Sequence, residues 1–178
     1  MDKHTTIVWL LPIVFMLHDF EEIIFFKSWL NKNKAYLAKR FPQIPQWVWT
    51  HADSLSTPAF ALAVAEEFVL LSLIVWGSVL WGNYVLWLAA FMGFFIHLLV
   101  HLGQWVVLRR YIPAIVTTFP SLTYGAYVLY TLVTHHLFQI SEMALWALVG
   151  LGILVPNLVV AHKLGAWLDR KQKHMQPT

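Results

Sequence analysis

The sequence predicts an all-α integral membrane protein, a five-transmembrane-helix bundle forming one domain over residues 1–178. Three observations carry this reading. Hydrophobic residues make up 59% of the chain and charged residues 12%, against roughly 45–50% and 25% in soluble domains, which excludes disorder and a simple water-soluble globule. Five apolar stretches reach the roughly 20 residues that a hydrocarbon core about 30 Å thick requires. Short breaks bearing glycine, proline or polar residues separate most of them.

Span one covers about residues 5–26. Its first half could be mistaken for a cleaved leader, but an acidic HDFEE run follows where a cleavage site needs small residues. Span two, about 58–80, opens with Thr57-Pro58 as N-cap and first-turn proline and closes at a Gly82-Asn83 turn. Spans three and four, about 84–108 and 111–135, flank Arg109-Arg110, and span five, about 142–164, starts at Ser141 with Glu142 in its first turn. Between spans one and two, residues 27–57 interleave Trp29, Leu30, Tyr36, Leu37 and Phe41 with Lys27, Lys32, Lys34, Lys39 and Arg40. That pattern predicts a short amphipathic interfacial helix.

Basic residues orient the bundle, because Lys and Arg of short loops accumulate on the cytoplasmic side. Eleven of the twelve fall on one side: the five just named, Arg109, Arg110, Lys163, Arg170, Lys171 and Lys173, with only Lys3 opposite. The amino terminus is expected outside and the carboxyl terminus in the cytoplasm. The ten tryptophans divide between two interfaces consistently with this. The expected location is the bacterial cytoplasmic (inner) membrane, multi-pass, with membrane lipid as a partner. The basic charge is spread along a rim with no nucleic-acid module, so no nucleic-acid partner is expected.

The informative residues are those a membrane helix should lack: His18, Asp19, Glu21 and Glu22 in span one, Glu66 and Glu67 in span two, His97 and His101 in span three. An acid at a helix centre costs about 2.5–3.5 kcal/mol on the insertion scale, so these five need compensation. No Lys or Arg lies within those stretches deep enough to provide it. At 1.5 Å per residue, all three helices place their polar groups about 7–16 Å from the cytoplasmic end, in one layer. At 100° per residue, His18, Glu21 and Glu22 share an arc of about 100°, and His97, His101 and Gln104 one of about 60°. Glu66 and Glu67 face about 100° apart, which suits one ligand and one supporting group.

With no cysteine, thiolate zinc sites, iron–sulfur clusters, disulfides and cysteine nucleophiles are excluded, and any metal must bind nitrogen and oxygen. Glutamates and histidines projecting from facing helices are the ligand set of a dinuclear carboxylate–histidine centre. His18, Glu21, Glu22, Glu66, Glu67, His97 and His101 are therefore the expected ligands of two divalent metal ions, Fe or Zn. Four carboxylates balance two such ions in charge. Asp19 is marginal to the stripe. His51 and His162 could approach the cluster, whereas His135 and His136 lie at the far end.

HDFEE at residues 18–22 resembles the signature of the uncharacterised bacterial membrane-protein family named for its His-x-x-Glu-Glu (HXXEE) motif. That family is also described by a further histidine, which His97 or His101 supplies, and by a Tyr-x-Pro-Gly element. Tyr111-Ile112-Pro113-Ala114 matches that element except for alanine in place of glycine. The resemblance implies no established activity.

Three chemistries fit such a site. The first expectation is a di-iron oxidoreductase acting on a lipid or other hydrophobic substrate, by analogy with carboxylate-bridged bundle enzymes. Its electrons would come from an electron-donor protein. The second is an intramembrane zinc-dependent hydrolase with Glu22 or Glu67 as general base. The third is a divalent-metal or proton-coupled transporter, against which the lack of duplicated halves argues. Pro120 and Pro156 each remove a backbone donor within a span, and Thr117, Thr118, Ser121, Tyr124 and Asn157 beside them are candidates to line a pocket.

Overall fold

A computed structural model describes residues 3–175; the side chains of Lys3, His51 and residues 173–175 lie outside the described set. Six helices follow in order: α1 Lys3–Arg40, α2 Gln46–Ser54, α3 Thr57–Trp81, α4 Val85–Leu108, α5 Ile115–Thr134 and α6 Ile140–Met175. The described residues contain no strand. Three helical stretches are long and apolar enough to cross a membrane: Thr57–Trp81, Val85–Leu108 and Ile140–Gln172. The other long helices are more polar, α1 through Asp19, Glu21 and Glu22, and α5 through its Thr, Ser and Tyr residues.

The region expected to leave span one and lie as a separate interfacial helix does neither. Residues 27–40 continue α1 as a single helix of 38 residues, and the separate short helix is α2, further on. The local reason is that no glycine or proline occurs between Phe26 and Arg40, so nothing there stops a helix already nucleated. Chain reversal comes at Pro42 and Pro45 instead. α2 is then pinned to α1 by Asp53, which receives Lys34 at 2.5 Å and lies 3.6 Å from Lys27.

Helix ends follow local chemistry, with shifts from the expected residues. α3 is capped by Ser56 rather than Thr57: its Oγ accepts from Ala59 N at 3.2 Å and donates to Asp169 of α6. Gly82 ends α3 in the left-handed conformation (φ 64°), as a glycine readily does. α5 starts four residues later than the expected span because Pro113 and the left-handed Ala114 (φ 72°) precede it. At α6, Glu142 accepts from the Gln139 backbone N–H at 2.8 Å, so the helix begins at Ile140 and Ser141 is already inside it.

The core runs between α1, α3, α4 and α5, with Leu11, Leu88, Phe91 and Leu98 fully buried. Trp87 stacks on Phe91 at 5.5 Å between ring centroids. Pro12 within α1 provides no N–H to the Val8 carbonyl one turn earlier, and the Trp87 indole N–H donates to that carbonyl at 3.4 Å. α4 and α6 meet closely through Gly93 and Gly150, where a Cβ on Gly150 would collide with the Ala89 carbonyl oxygen. The outside is apolar, with Leu17, Ile24, Leu73, Leu86 and Leu148 all exposed.

One end of the bundle gathers the Lys27–Asp53–Lys34 group, Arg110 packed 4.2 Å over the Tyr36 ring, and Asp169 against Ser56. The opposite end brings His4 to His135, with ring centroids 5.1 Å apart.

Candidate metal centre

The helical offsets of 3 and 4 residues put His18, Glu21 and Glu22 on one side of α1, and an offset of 4 aligns His97 with His101 on α4. The two stripes meet. His97 Nε2 lies 3.3 Å from His18 Nε2 and 3.0 Å from His101 Nε2, and His101 Nε2 lies 2.8 Å from Glu22 Oε1. One ligand atom from each of these four residues falls within 4.8 Å of every other. Phe94 holds the rings in place, edge-on to His18 at 5.8 Å and stacked on His97 at 6.4 Å.

Three ring nitrogens and a carboxylate oxygen facing one point are poorly served by hydrogen bonds alone, because each neutral imidazole has a single N–H to give. The same spacing suits a cation. Metal–nitrogen distances of about 2.0–2.1 Å imply ligand–ligand edges of roughly 3.3–3.4 Å for a tetrahedron and about 2.9–3.0 Å for an octahedron. Three of the six separations, 2.8–3.3 Å, match those edges, and all six lie within 4.8 Å.

Glu21 points elsewhere. Its carboxylate accepts from the Tyr111 hydroxyl (2.8 Å), the Thr117 N–H (2.8 Å), the Thr117 hydroxyl (2.7 Å) and, at 3.4 Å, the Val116 N–H. Ala114 offers α5 no side-chain cap; Glu21 supplies one from α1, where the helix end presents free N–H groups and partial positive charge. The Thr117 hydroxyl also lies 3.4 Å from His18 Nδ1. Glu21 and Thr117 therefore stand behind His18, in the position of groups that orient a metal-bound imidazole.

The remaining acids face α6 and a second cavity. Asn157 Nδ2 donates to Glu66 Oε2 at 3.2 Å. Glu67, Asp19, His97 and Asn157 share the wall of a cavity of about 140 Å³. Of the seven expected ligands, His18, Glu22, His97 and His101 converge; Glu21 is held by the α5 N-terminus and Glu66 by Asn157, while Glu67 lines the second cavity, near enough to Glu22 for their charges to interact. His162 is not in the convergent group and bonds to the Leu158 carbonyl of its own helix at 2.6 Å; the side chain of His51 lies outside the described residues.

A larger cavity of about 600 Å³ opens beside the cluster, bordered by Glu22, His97 and His101 and otherwise mainly by apolar groups such as Phe26, Leu30 and Trp49. Of the hydroxyl and amide residues flagged in the sequence, Thr117 and Asn157 join the acid groups. Thr118 instead bonds to the Ala114 carbonyl at 2.8 Å and Tyr124 to the Ile7 carbonyl at 2.9 Å. Tyr111 and Thr117 as partners of an acid are not apparent from sequence alone; the signal available is the Tyr-x-Pro-Ala element ahead of a helix without its own cap.

No curated protein and no solved structure matches the chain. Residues 9–128 match the family model described as protein of unknown function with HXXEE motif. That match covers more than half of the chain and includes the His18, Glu21 and Glu22 motif, the two α4 histidines and the Tyr111 turn, and the chain belongs to the HXXEE family.

Proposed function

We propose that this protein is a membrane-embedded, metal-dependent hydrolase in which His18, His97 and His101 hold one divalent transition ion and Glu22 acts as general base. The observation carrying this reading is the convergence of three imidazole nitrogens and one carboxylate oxygen within 4.8 Å. Three protein ligands leave a coordination position for water, and a bound divalent ion brings the pKa of such a water near neutrality. Glu22 stands 2.8 Å from His101 Nε2 and borders the large cavity, so its carboxylate is placed to accept the water's proton. The apolar walls of that cavity suit a lipid or other hydrophobic substrate. Thr117 and Glu21 fix the His18 ring. Hydrolysis uses one ion and water, with no electron carrier.

The setting proposed is a bacterial cytoplasmic membrane crossed five times. At 1.5 Å per residue, α5 is about 30 Å long and α1 about 57 Å, so both are long enough to add to the three apolar spans. The end carrying Lys27, Lys34 and Arg110 is assigned to the cytoplasm, with α2 at that interface.

Metal analysis of the purified protein tests the reading. One zinc per chain, retained in Glu22→Gln and lost in His101→Ala, together with hydrolysis of long-chain esters that Glu22→Gln abolishes, is the expected result. Metal-free protein after growth and purification with zinc present would overturn it. Asp19 and Glu67, which line one cavity together with His97, favour a second reading, a two-iron oxidoreductase served by an electron-donor protein, which about two irons per chain would support. Metal-free protein that moves protons in liposomes would instead identify a transporter.

A further inference from the structure

Asp19 is 4% exposed, and its Oδ2 has no hydrogen-bond partner. A carboxylate so buried is costly unless something pairs with it. It lies on the wall of the 140 Å³ cavity between α1, α3, α4 and α6, together with Glu67. Among the described residues, no Lys or Arg lines that cavity. The rest of the wall is apolar apart from His97 and Asn157, and Leu70, Leu86, Ile153 and Leu158 line it while being exposed on the outer surface of the bundle. The cavity therefore has an acidic inner end and an apolar mouth opening sideways towards the hydrocarbon.

We propose that this cavity binds the ammonium head of an amphiphilic amine, with the charged nitrogen against Asp19 and Glu67 and the alkyl tail leaving between α3, α4 and α6. An ammonium donates up to three hydrogen bonds and supplies the positive charge that the helices lack. The volume is close to the roughly 150 Å³ that takes a benzene-sized apolar group, enough for the head and the first few carbons. A bare metal ion fits less well, since a hard cation requires six or more oxygens or waters and has no use for apolar walls. The site goes beyond the proposed hydrolase and does not depend on it: the acid pair and the side opening stand whether or not the histidines hold an ion.

The test is photolabelling in phosphatidylcholine nanodiscs with a diazirine-bearing long-chain primary amine. Labelled peptides should come from α3, α4 and α6 around Leu70, Ala90 and Leu154. Dodecylamine should compete, whereas dodecanol and dodecanoate should not. Asp19→Asn and Glu67→Gln should each weaken competition about 30-fold or more, the scale expected for truncating one partner of a buried charge pair. Leu154→Trp, which keeps both acids and fills the cavity, should block labelling and guards against misfolding of the acid variants. Competition by phosphatidylethanolamine would assign the ammonium to a lipid headgroup, and its failure would assign it to a free long-chain amine. Equal competition by the alcohol and the carboxylate, or a bound metal equivalent lost specifically in Asp19→Asn, would overturn the proposal. Chelator-treated wild-type protein should label as before, so absence of an ion defeats the hydrolase reading alone.

Discussion

Substitution of Glu21 separates a helix-capping role from a metal-ligating one. In Glu21→Ala the Thr117 and Val116 N–H groups and two hydroxyls lose their carboxylate, and buried donors left unpaired cost about 1–3 kcal/mol each. Tyr111 is exposed and can turn to water, and the Thr117 hydroxyl keeps the His18 and Ala114 carbonyls as acceptors, so the two backbone N–H groups carry the loss, about 4 kcal/mol rather than the full sum. Glu21→Gln keeps one acceptor oxygen and loses the charge facing the α5 N-terminus, for about 2 kcal/mol. At about 2–4 °C per kcal/mol for a chain of this size, tryptophan-fluorescence melting in nanodiscs should fall by about 8–16 °C for Ala and 4–8 °C for Gln. Zinc titration of Glu21→Gln should still reach one ion per chain, with affinity lowered about 10–100-fold through the loosened Thr117–His18 contact. A melting point within about 2 °C of wild type for Glu21→Ala would refute the capping role. Loss of the ion from Glu21→Gln as complete as from His97→Ala would make Glu21 a ligand.

Three further outcomes are expected. Ala114→Gly should raise stability by roughly 0.5 kcal/mol, because the left-handed backbone costs a non-glycine residue about 1–2 kcal/mol while glycine loses about 0.4–1 kcal/mol more chain entropy, and thermal melting checks the sign. Gly150→Ala should destabilise by about 1–3 kcal/mol through the Ala89 carbonyl; Gly152→Ala, where a Cβ meets nothing within 4 Å, should not destabilise, and parallel melts compare them. The hydrogen bond and charge of Lys34, aided by Lys27, hold the Asp53 carboxyl below its ordinary value. Its contribution to docking α2 is therefore full above the unfolded value near pH 4 and is lost as pH falls through the lowered folded value. Trp47 and Trp49 fluorescence should stay constant from about pH 8 to 5 and change below about 4, and Asp53→Asn should abolish that step.

Much of the site was legible because depth and angle along a helix are simple functions of residue number. Those two coordinates place His18, Glu22, His97 and His101 in a common layer on facing stripes, and these four converge in the structure. What they do not encode is which neighbour each stripe's edge meets. Glu21 is separated from Glu22 by one residue step, yet that step turns it to the end of α5, a contact set by tertiary packing. The end of α1 is hidden in the sequence for a related reason. Alternating lysines and aromatics describe a surface-lying helix and the projecting end of a long one equally well, and only Pro42 and Pro45 mark where the chain turns. The Tyr111–Ala114 turn was visible as a motif, but its purpose, delivering a hydroxyl and a helix end to Glu21, required the fold.

The convergent residues come from helices that pack mainly on other partners. α1 packs chiefly on α3 and α5, and α4 chiefly on α6 and α5, while α1 and α4 also meet through Phe15 against Phe94 and the Trp87 bond to the Val8 carbonyl. A cation there would rivet the first helix made to one made much later, so that loading reports completed biogenesis. Because α1 is already held by α3, α5 and the Trp87–Val8 bond, such a cation would add a further tie at the histidine layer to a bundle that stands without it.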